Sequence, residues 1–255
     1  MLSMAGRVIL SQSVISAIPS YVMQGCVLPA RVLNHIDKIN RDFLWGESDS
    51  GKKMHMISWS KIAKPKAKVG LGIQGTKGRN LTLAAKLFWR MTRCKGAGWA
   101  EVLHRKYQCR RQNQRSRQSQ VWATVEKGKE ICDLGAKWTI GSNSNLSFWH
   151  DKWLNVGALR SLVEGPLARG EDNLLIKDVT SNGSWDLHML SVPLSPFILK
   201  AIHATTLRRF SKKEDQLSWI SNIDGEFDSR NAYLLAIGED LSAIDFLGKW
   251  VWKVK

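Results

Sequence analysis

A chain of 255 residues with 44% apolar content is long enough for one large domain or two ordinary ones, and that content excludes wholesale disorder. Its net charge of +16 sits in one half: residues 1–125 hold 22 Lys and Arg against 5 Asp and Glu, while residues 126–255 hold 16 against 17. A half so unbalanced repels itself unless it meets a polyanion, which points to nucleic acid ahead of an anionic membrane surface.

From Gly6 to Met23 the residues Val8, Ile9, Val14, Ile15, Ile18 and Val22 recur at helical spacing, and Pro19 is expected to end or kink that helix. Val8–Ala30 carries no charged residue and has the length of a bilayer span. Ser11, Gln12, Ser13, Ser16, Pro19, Ser20 and Gln24 break it, so a membrane span or signal-peptide core is not expected. Pro29 suits the first turn of a second helix with the face Val32, Leu33, Ile36, Ile39, Phe43 and Leu44, and Gly46 suits the position past its end. A polar loop, Glu47–Lys53, precedes a short helix within Ile57–Ile62 and the basic run KPKAKVGLG at Lys64–Gly72. Asn80 is a candidate cap for a long helix bearing Leu83, Leu87, Phe88 and Met91, and Trp99–Tyr107 reads as another. Cys109–Gln120 has no apolar period and reads as an exposed, mobile loop; Trp122–Leu134 is helical and closed by Gly135.

Beyond residue 136 the period changes. Trp138, Ile140, Leu146 and Phe148 alternate with polar residues around the turn-like GSNSN, which predicts a hairpin of Lys137–Ile140 with Leu146–Trp149. Gln216–Ile220 and Glu226–Phe227 flank NIDG as a second hairpin candidate, and Ser229 can cap a short helix through Ala232, Leu235 and Ala236.

Little in the pattern calls for bond chemistry. His150 and Asp151 are adjacent, so their side chains diverge on any regular backbone, and no further His, Cys or Glu stands at metal-ligand spacing beside them. They are expected at the solvent side of a bend, with Asp151 capping the next turn. The lone GLG at Gly70–Gly72 reads as a tight turn rather than a phosphate loop. Carboxylates in the basic half are too few and too scattered to gather divalent metal. Cys26, Cys94, Cys109 and Cys132 form no C-x-x-C pair and read as reduced intracellular thiols. Phosphate-neutralising cations are abundant, by contrast. Eight Lys and Arg fall between residues 52 and 79 with no acidic residue among them, and a second group surrounds residues 105–117. Such groups neutralise backbone phosphates without reading sequence.

LSMAGRVILSQSVISAIPSYVMQ, FLWG at Phe43–Gly46, ISW at Ile57–Trp59 and PKAKVGLGI at Pro65–Ile73 occur in that order. AAKLFWRM at Ala84–Met91, WAEVLHRKY at Trp99–Tyr107 and WTIGSNSNLSFWHDKWL at Trp138–Leu154 follow. The succession resembles plant non-LTR (LINE-type) retrotransposon reverse transcriptases, whose host copies are called ribonuclease H proteins, in the segment after the polymerase palm. The resemblance implies that the polymerase Tyr-x-Asp-Asp motif lies before Leu2. It also implies that Asp215–Tyr233 and the final KWVWKVK open a reverse-transcriptase zinc-binding domain whose ligands follow Lys255. Magnesium and zinc, which the family uses, would then bind outside this chain, and no cofactor is expected within it. Val69 in place of a family glycine and the Arg- and Gln-rich stretch at 110–120 depart from the pattern.

The expected fold is mainly α in the N-terminal half, with thumb-like helices, and α+β in the C-terminal half with short β-hairpins. The expected divisions are a basic helical region at 1–135, a Trp-rich hairpin and helical region at 136–210, and the start of the zinc-binding domain at 211–255. The expected function is sequence-nonspecific binding of RNA or DNA backbone, without catalysis. Candidate contacts are Arg7, Lys52, Lys53, Lys64, Lys66, Lys68, Lys77, Arg79, Lys86, Arg90, Arg105, Lys106, Arg110 and Arg111. No membrane association is expected, and the location is read as intracellular and nuclear. The open alternative is a domesticated protein-interaction module, with a protein partner at the Trp-rich half and no nucleic-acid role.

Overall fold

Ser3 starts the first helix by accepting a hydrogen bond from the Gly6 amide at 3.2 Å. That helix, α1 (Met4–Leu10), widens into a π-helical turn over Ser11–Ile15. Two serine hydroxyls feed back onto the backbone there, Ser13 to the Ile9 carbonyl and Ser16 to that of Ser11. The computed structural model describes residues 2–46, 55, 57–68, 70–94, 96–107, 118–181, 183–205, 207 and 214–238. The expected break at Pro19 is present, because α2 (Ser20–Met23) begins just after it. The expected apolar face is not buried as a unit: Met23 is fully enclosed, but Ile9, Val14, Ile18 and Val22 are exposed. The wider turn rotates Ser11 and Ser16 inward in their place.

Next in the chain come α3 (Ala30–Trp45), α4 (Trp59–Ile62), α5 (Thr76–Arg93), α6 (Gly98–Tyr107) and α7 (Gln120–Gly135). The strand β1 (Ala136–Thr139), α8 (Leu159–Leu162), β2 (Thr180–Ser181) and β3 (Ser184–Trp185) follow. Then come α9 (Pro196–His203), β4 (Gln216–Trp219) and α10 (Ser229–Ala236). The predominance of helix before residue 136 and the mixture of helices and short strands after it match the expected fold class. The described residues divide into two units. One comprises residues up to Leu134 together with the segment from Ser229, and the other is Gly135–Asp228. The helix α10 thus returns to the helical unit from the far end of the sequence.

In the first unit α5 is the central element. Its small residues let neighbours approach closely: a Cβ at Gly78 would lie 2.7 Å from Tyr233 Cε2 and 2.6 Å from Ile237 Cγ2, the contact made by α10. A Cβ at Gly128 of α7 would lie 2.1 Å from the Ala84 carbonyl oxygen. The expected capping role of Asn80 is not found, since α5 starts four residues earlier and Asn80 is fully buried inside it. Its side chain accepts from the Leu28 amide at 2.8 Å and donates to the Cys26 carbonyl at 3.0 Å, so it satisfies the α2–α3 turn instead. The N-terminus of α5 is held by Asp37, which accepts from both the amide and the hydroxyl of Thr76. Leu44, Ile62 and Ile73 form one core beside Trp45 and Trp59, and Met91, Ala100, Trp122 and Val125 form another beside Tyr107. Cys132 is buried with its thiol pushed up to about 12 by burial and by Asp133, which leaves it protonated and unsuited to metal. No helix among the described residues is long and apolar enough to cross a membrane.

The second unit is built on aromatic residues. Phe148, Trp149, Trp153, Leu154, Leu159, Ile176, Val179 and Ile202 form its centre, each almost completely buried. The hairpin expected between Lys137–Ile140 and Leu146–Trp149 does not form. Instead β1 pairs antiparallel with β4, Ala136 opposite Trp219 and Thr139 opposite Gln216. The reason lies at GSNSN, whose Gly141 and Asn145 amides donate to the Asp215 carboxylate at 2.8 and 3.3 Å. The return segment then bonds elsewhere: Phe148 N donates to Leu174 O at 2.8 Å and Ile176 N to Leu146 O at 2.9 Å. Of the second expected hairpin, β4 is a strand and Glu226–Phe227 is not; a Trp219 N to Gly225 O bond closes the turn between them. The one hairpin among the described residues is the short pair β2–β3.

Candidate nucleic-acid interface

Three segments of the first unit enclose a cleft of about 760 Å³. One wall is a stripe of α5, from Arg79 through Thr82 and Leu83 to Lys86, spaced at i, i+3, i+4 and i+7 so that all four share a face. The second is the basic loop from Pro65 to Gln74, which brings Lys66 and Lys68. The third is α10, which contributes Ser229, Arg230, Tyr233 and Leu234. Gln12 and Ser16 close one end. Among the described residues that line it are five cations and no carboxylate.

The loop is held in shape by backbone bonds and by Gln12. Leu71 N donates to Ile62 O at 3.1 Å and Gly72 N to Lys64 O at 3.1 Å, while the Gln12 amide donates to Leu71 O at 2.8 Å. These amides are directed into the protein, so GLG is a tight turn and not a phosphate cradle. Gly70 has no alternative, since a Cβ there would lie 1.9 Å from the Lys64 carbonyl oxygen. The Tyr233 hydroxyl joins both ends of the loop to α10, accepting from Gly75 N at 2.8 Å and donating to Ala63 O at 3.4 Å.

Burial lowers the pKa of the Arg79 guanidinium. Arginine stays protonated at neutral pH even so, and a half-buried cation without a counter-charge gains from an anionic ligand that replaces its lost water. Arg79 and Lys86 make no hydrogen bond or ion pair with another described residue.

Four of the predicted contacts, Lys66, Lys68, Arg79 and Lys86, meet in this cleft. Lys64 immediately precedes that loop and does not line the cleft, and Lys77 is exposed outside it. Arg90 continues the α5 stripe, with its guanidinium 5.8 Å from the Trp99 ring centroid. Arg7 is not brought to the cleft; its guanidinium packs against Gly46 at the left-handed C-cap of α3. Arg105 forms an ion pair with Glu101 at 2.6 Å, and Lys106 lies 5.2 Å from the Tyr107 ring centroid. Lys52, Lys53, Arg110 and Arg111 lie outside the described residues, as does the loop expected to be mobile up to residue 117. Its last residues are described, with the Ser119 amide donating to the Tyr107 hydroxyl at 3.1 Å and Gln120 opening α7 rather than ending a loop. Sequence reasoning missed Arg230 and Gln12. No local signal marks Arg230, whose position depends on the crossing of α10 with Gly78. Gln12 carries a faint one, as a polar residue on an otherwise apolar helical face.

His150 and Asp151 do not act together. Asp151 accepts from the Ser147 amide behind it at 2.7 Å, rather than capping the next turn, while exposed His150 contacts Asp172 at 2.8 Å. The Trp153 indole donates to Phe148 O at 3.0 Å and closes the corner. No group of three His, Cys, Asp or Glu residues able to hold a metal occurs among the described residues.

Known proteins resemble this chain in sequence. Along its whole length the chain is 30% identical, over 264 aligned residues, to an Arabidopsis thaliana protein named "Putative ribonuclease H protein". The chain spans 43% of that protein's length. It is also 24% identical over 146 residues, 54% of this chain and 93% of the other, to a protein named "Uncharacterized mitochondrial protein" from the same plant. No family model matches the chain, and no solved structure does.

Proposed function

We propose that this chain is a portion of a retroelement-derived, RNA-directed DNA polymerase, and that its helical unit grips the backbone of a template-primer in the cleft beneath α10. The observation that carries this reading is the convergence of Lys66, Lys68, Arg79, Lys86 and Arg230 with no carboxylate among the described lining residues. Likeness along the whole of this chain to 43% of a protein named for ribonuclease H supports the nucleic-acid context. Arg79 offers a planar fork to phosphate oxygens, and the lysines act as point charges around it. Contacts of this kind fix position without reading bases, so binding is sequence-nonspecific. The unit acts by holding substrate, and bond chemistry belongs to other parts of the parent protein. The first unit corresponds in this reading to a polymerase thumb, and the segment from residue 211 to the beginning of a zinc-binding domain.

The test is the affinity for an RNA–DNA hybrid measured against salt. If each of the five cations neutralises one phosphate, log affinity falls against log salt with a slope of about −4 to −5. An affinity indifferent to salt between low and physiological strength contradicts the proposal.

A further inference from the structure

The second unit has a cleft of its own, of about 560 Å³, between β1, the segment Trp153–Val156 and α9. The helix α9 is two-sided. Ile198 and Ile202 enter the aromatic core, while Phe197, Lys200, Ala201 and Ala204 share the opposite face and line the cleft. Phe197 is 64% exposed, on a different side of the helix from its buried neighbour Ile198. Trp153 supplies the floor and is itself fixed, stacked on Trp185 at 5.1 Å between ring centroids. Lys137 stands at the rim, where its ammonium donates to Asn155 Oδ1 at 2.7 Å. Lys200 is the second cation, and no carboxylate lines the cleft among the described residues.

We infer that this cleft holds an unpaired nucleotide of single-stranded nucleic acid, its base against the Phe197 ring and its flanking phosphates at Lys137 and Lys200. The volume falls within the roughly 300–1,000 Å³ of small-ligand sites. An open aromatic face with cations beside it is the chemistry of single-strand recognition, because every base has a face to stack and every linkage a charge to neutralise. The unit as a whole is close to neutral, so the two lysines form a local site and are not part of a general basic surface. An extended peptide is the less favoured occupant: β1 has β4 on one edge, and on the other its Trp138 amide donates to Lys152 O at 2.7 Å, which leaves no open ladder there. This inference rests on the second unit alone and does not require the basic cleft of the first.

The experiment compares Phe197→Ala, Phe197→Trp and the unaltered full chain on a single-stranded oligonucleotide and on a duplex of equal length, by fluorescence anisotropy. Phe197 is exposed, so its removal leaves the core intact. Phe197→Ala is expected to weaken single-strand binding about tenfold and to leave duplex binding unchanged, with Phe197→Trp restoring the single-strand affinity. Single-strand affinity unchanged in Phe197→Ala, or an equal loss on both ligands, overturns the inference. Displacement of the oligonucleotide by polyglutamate but not by adenosine monophosphate also overturns it, in favour of an acidic protein partner. Arg79→Gln in parallel separates the two clefts, since it weakens duplex binding whether or not Phe197 has a role.

Discussion

Among the described residues both clefts are lined by cations and by no carboxylate, and the contrast between them follows from what each unit buries. In the first, α5 meets α7 and α10 through glycine and alanine, so the long side chains of Arg79 and Lys86 are left at the flank and converge with Lys66, Lys68 and Arg230. Among the described lining residues the one aromatic, Tyr233, is buried and already bonded to Gly75, so this cleft offers cations and no open ring. In the second, Phe148, Trp149, Trp153 and Trp219 fill the interior, and the carboxylates hold loops: Asp215 the 141–145 segment, and Glu171 the Ala168 and Ser191 amides. A spare ring, Phe197, remains outside that core. Charge excess alone therefore describes the first unit well and overlooks the second.

The largest way to break this contrast is Trp153→Ala. Losing a fully buried indole from the second core is expected to destabilise that unit by about 3–5 kcal/mol, read by denaturant unfolding. Duplex affinity under native conditions should not change, since no residue of that unit lines the basic cleft. A smaller effect is expected from Gly78→Ala. The added methyl meets Tyr233 and Ile237, so α10 must shift, at a cost of about 1–3 kcal/mol. Arg230 moves with the helix, and duplex binding weakens; unaltered binding would mean that α10 is no part of the interface. The smallest effect belongs to His150→Ala. An exposed contact with Asp172 is expected to change stability by no more than about 0.5 kcal/mol and binding not at all. A larger change in either would return the His-Asp corner to functional standing.

Helical periodicity is sufficient for α3, α6, α7 and α10 to within a residue or two, because each carries its own apolar spacing. It fails at the start of α5, where Asn80 has the local features of a cap but its partners are the backbone of Cys26 and Leu28, more than fifty residues away. It fails again at β1, since the bond between Asp215 and Gly141 that diverts the chain spans 74 residues. The candidate interface is legible to the same extent. Lys66, Lys68, Arg79 and Lys86 announce themselves as cations without acidic neighbours. That Arg7 turns to Gly46 and Arg105 to Glu101, while Arg230 joins from α10, depends on packing that no local pattern contains.

The most direct test of the basic cleft is the salt dependence of hybrid binding by the double variant Arg79→Gln, Lys86→Gln beside the unaltered chain. Both side chains are without a described hydrogen-bond or ion-pair partner, so their removal should leave the fold in place. The account predicts that the slope of log affinity against log salt becomes shallower by about 2, one for each phosphate no longer neutralised. A slope identical to that of the unaltered chain would contradict it, and would move the nucleic-acid interface away from α5.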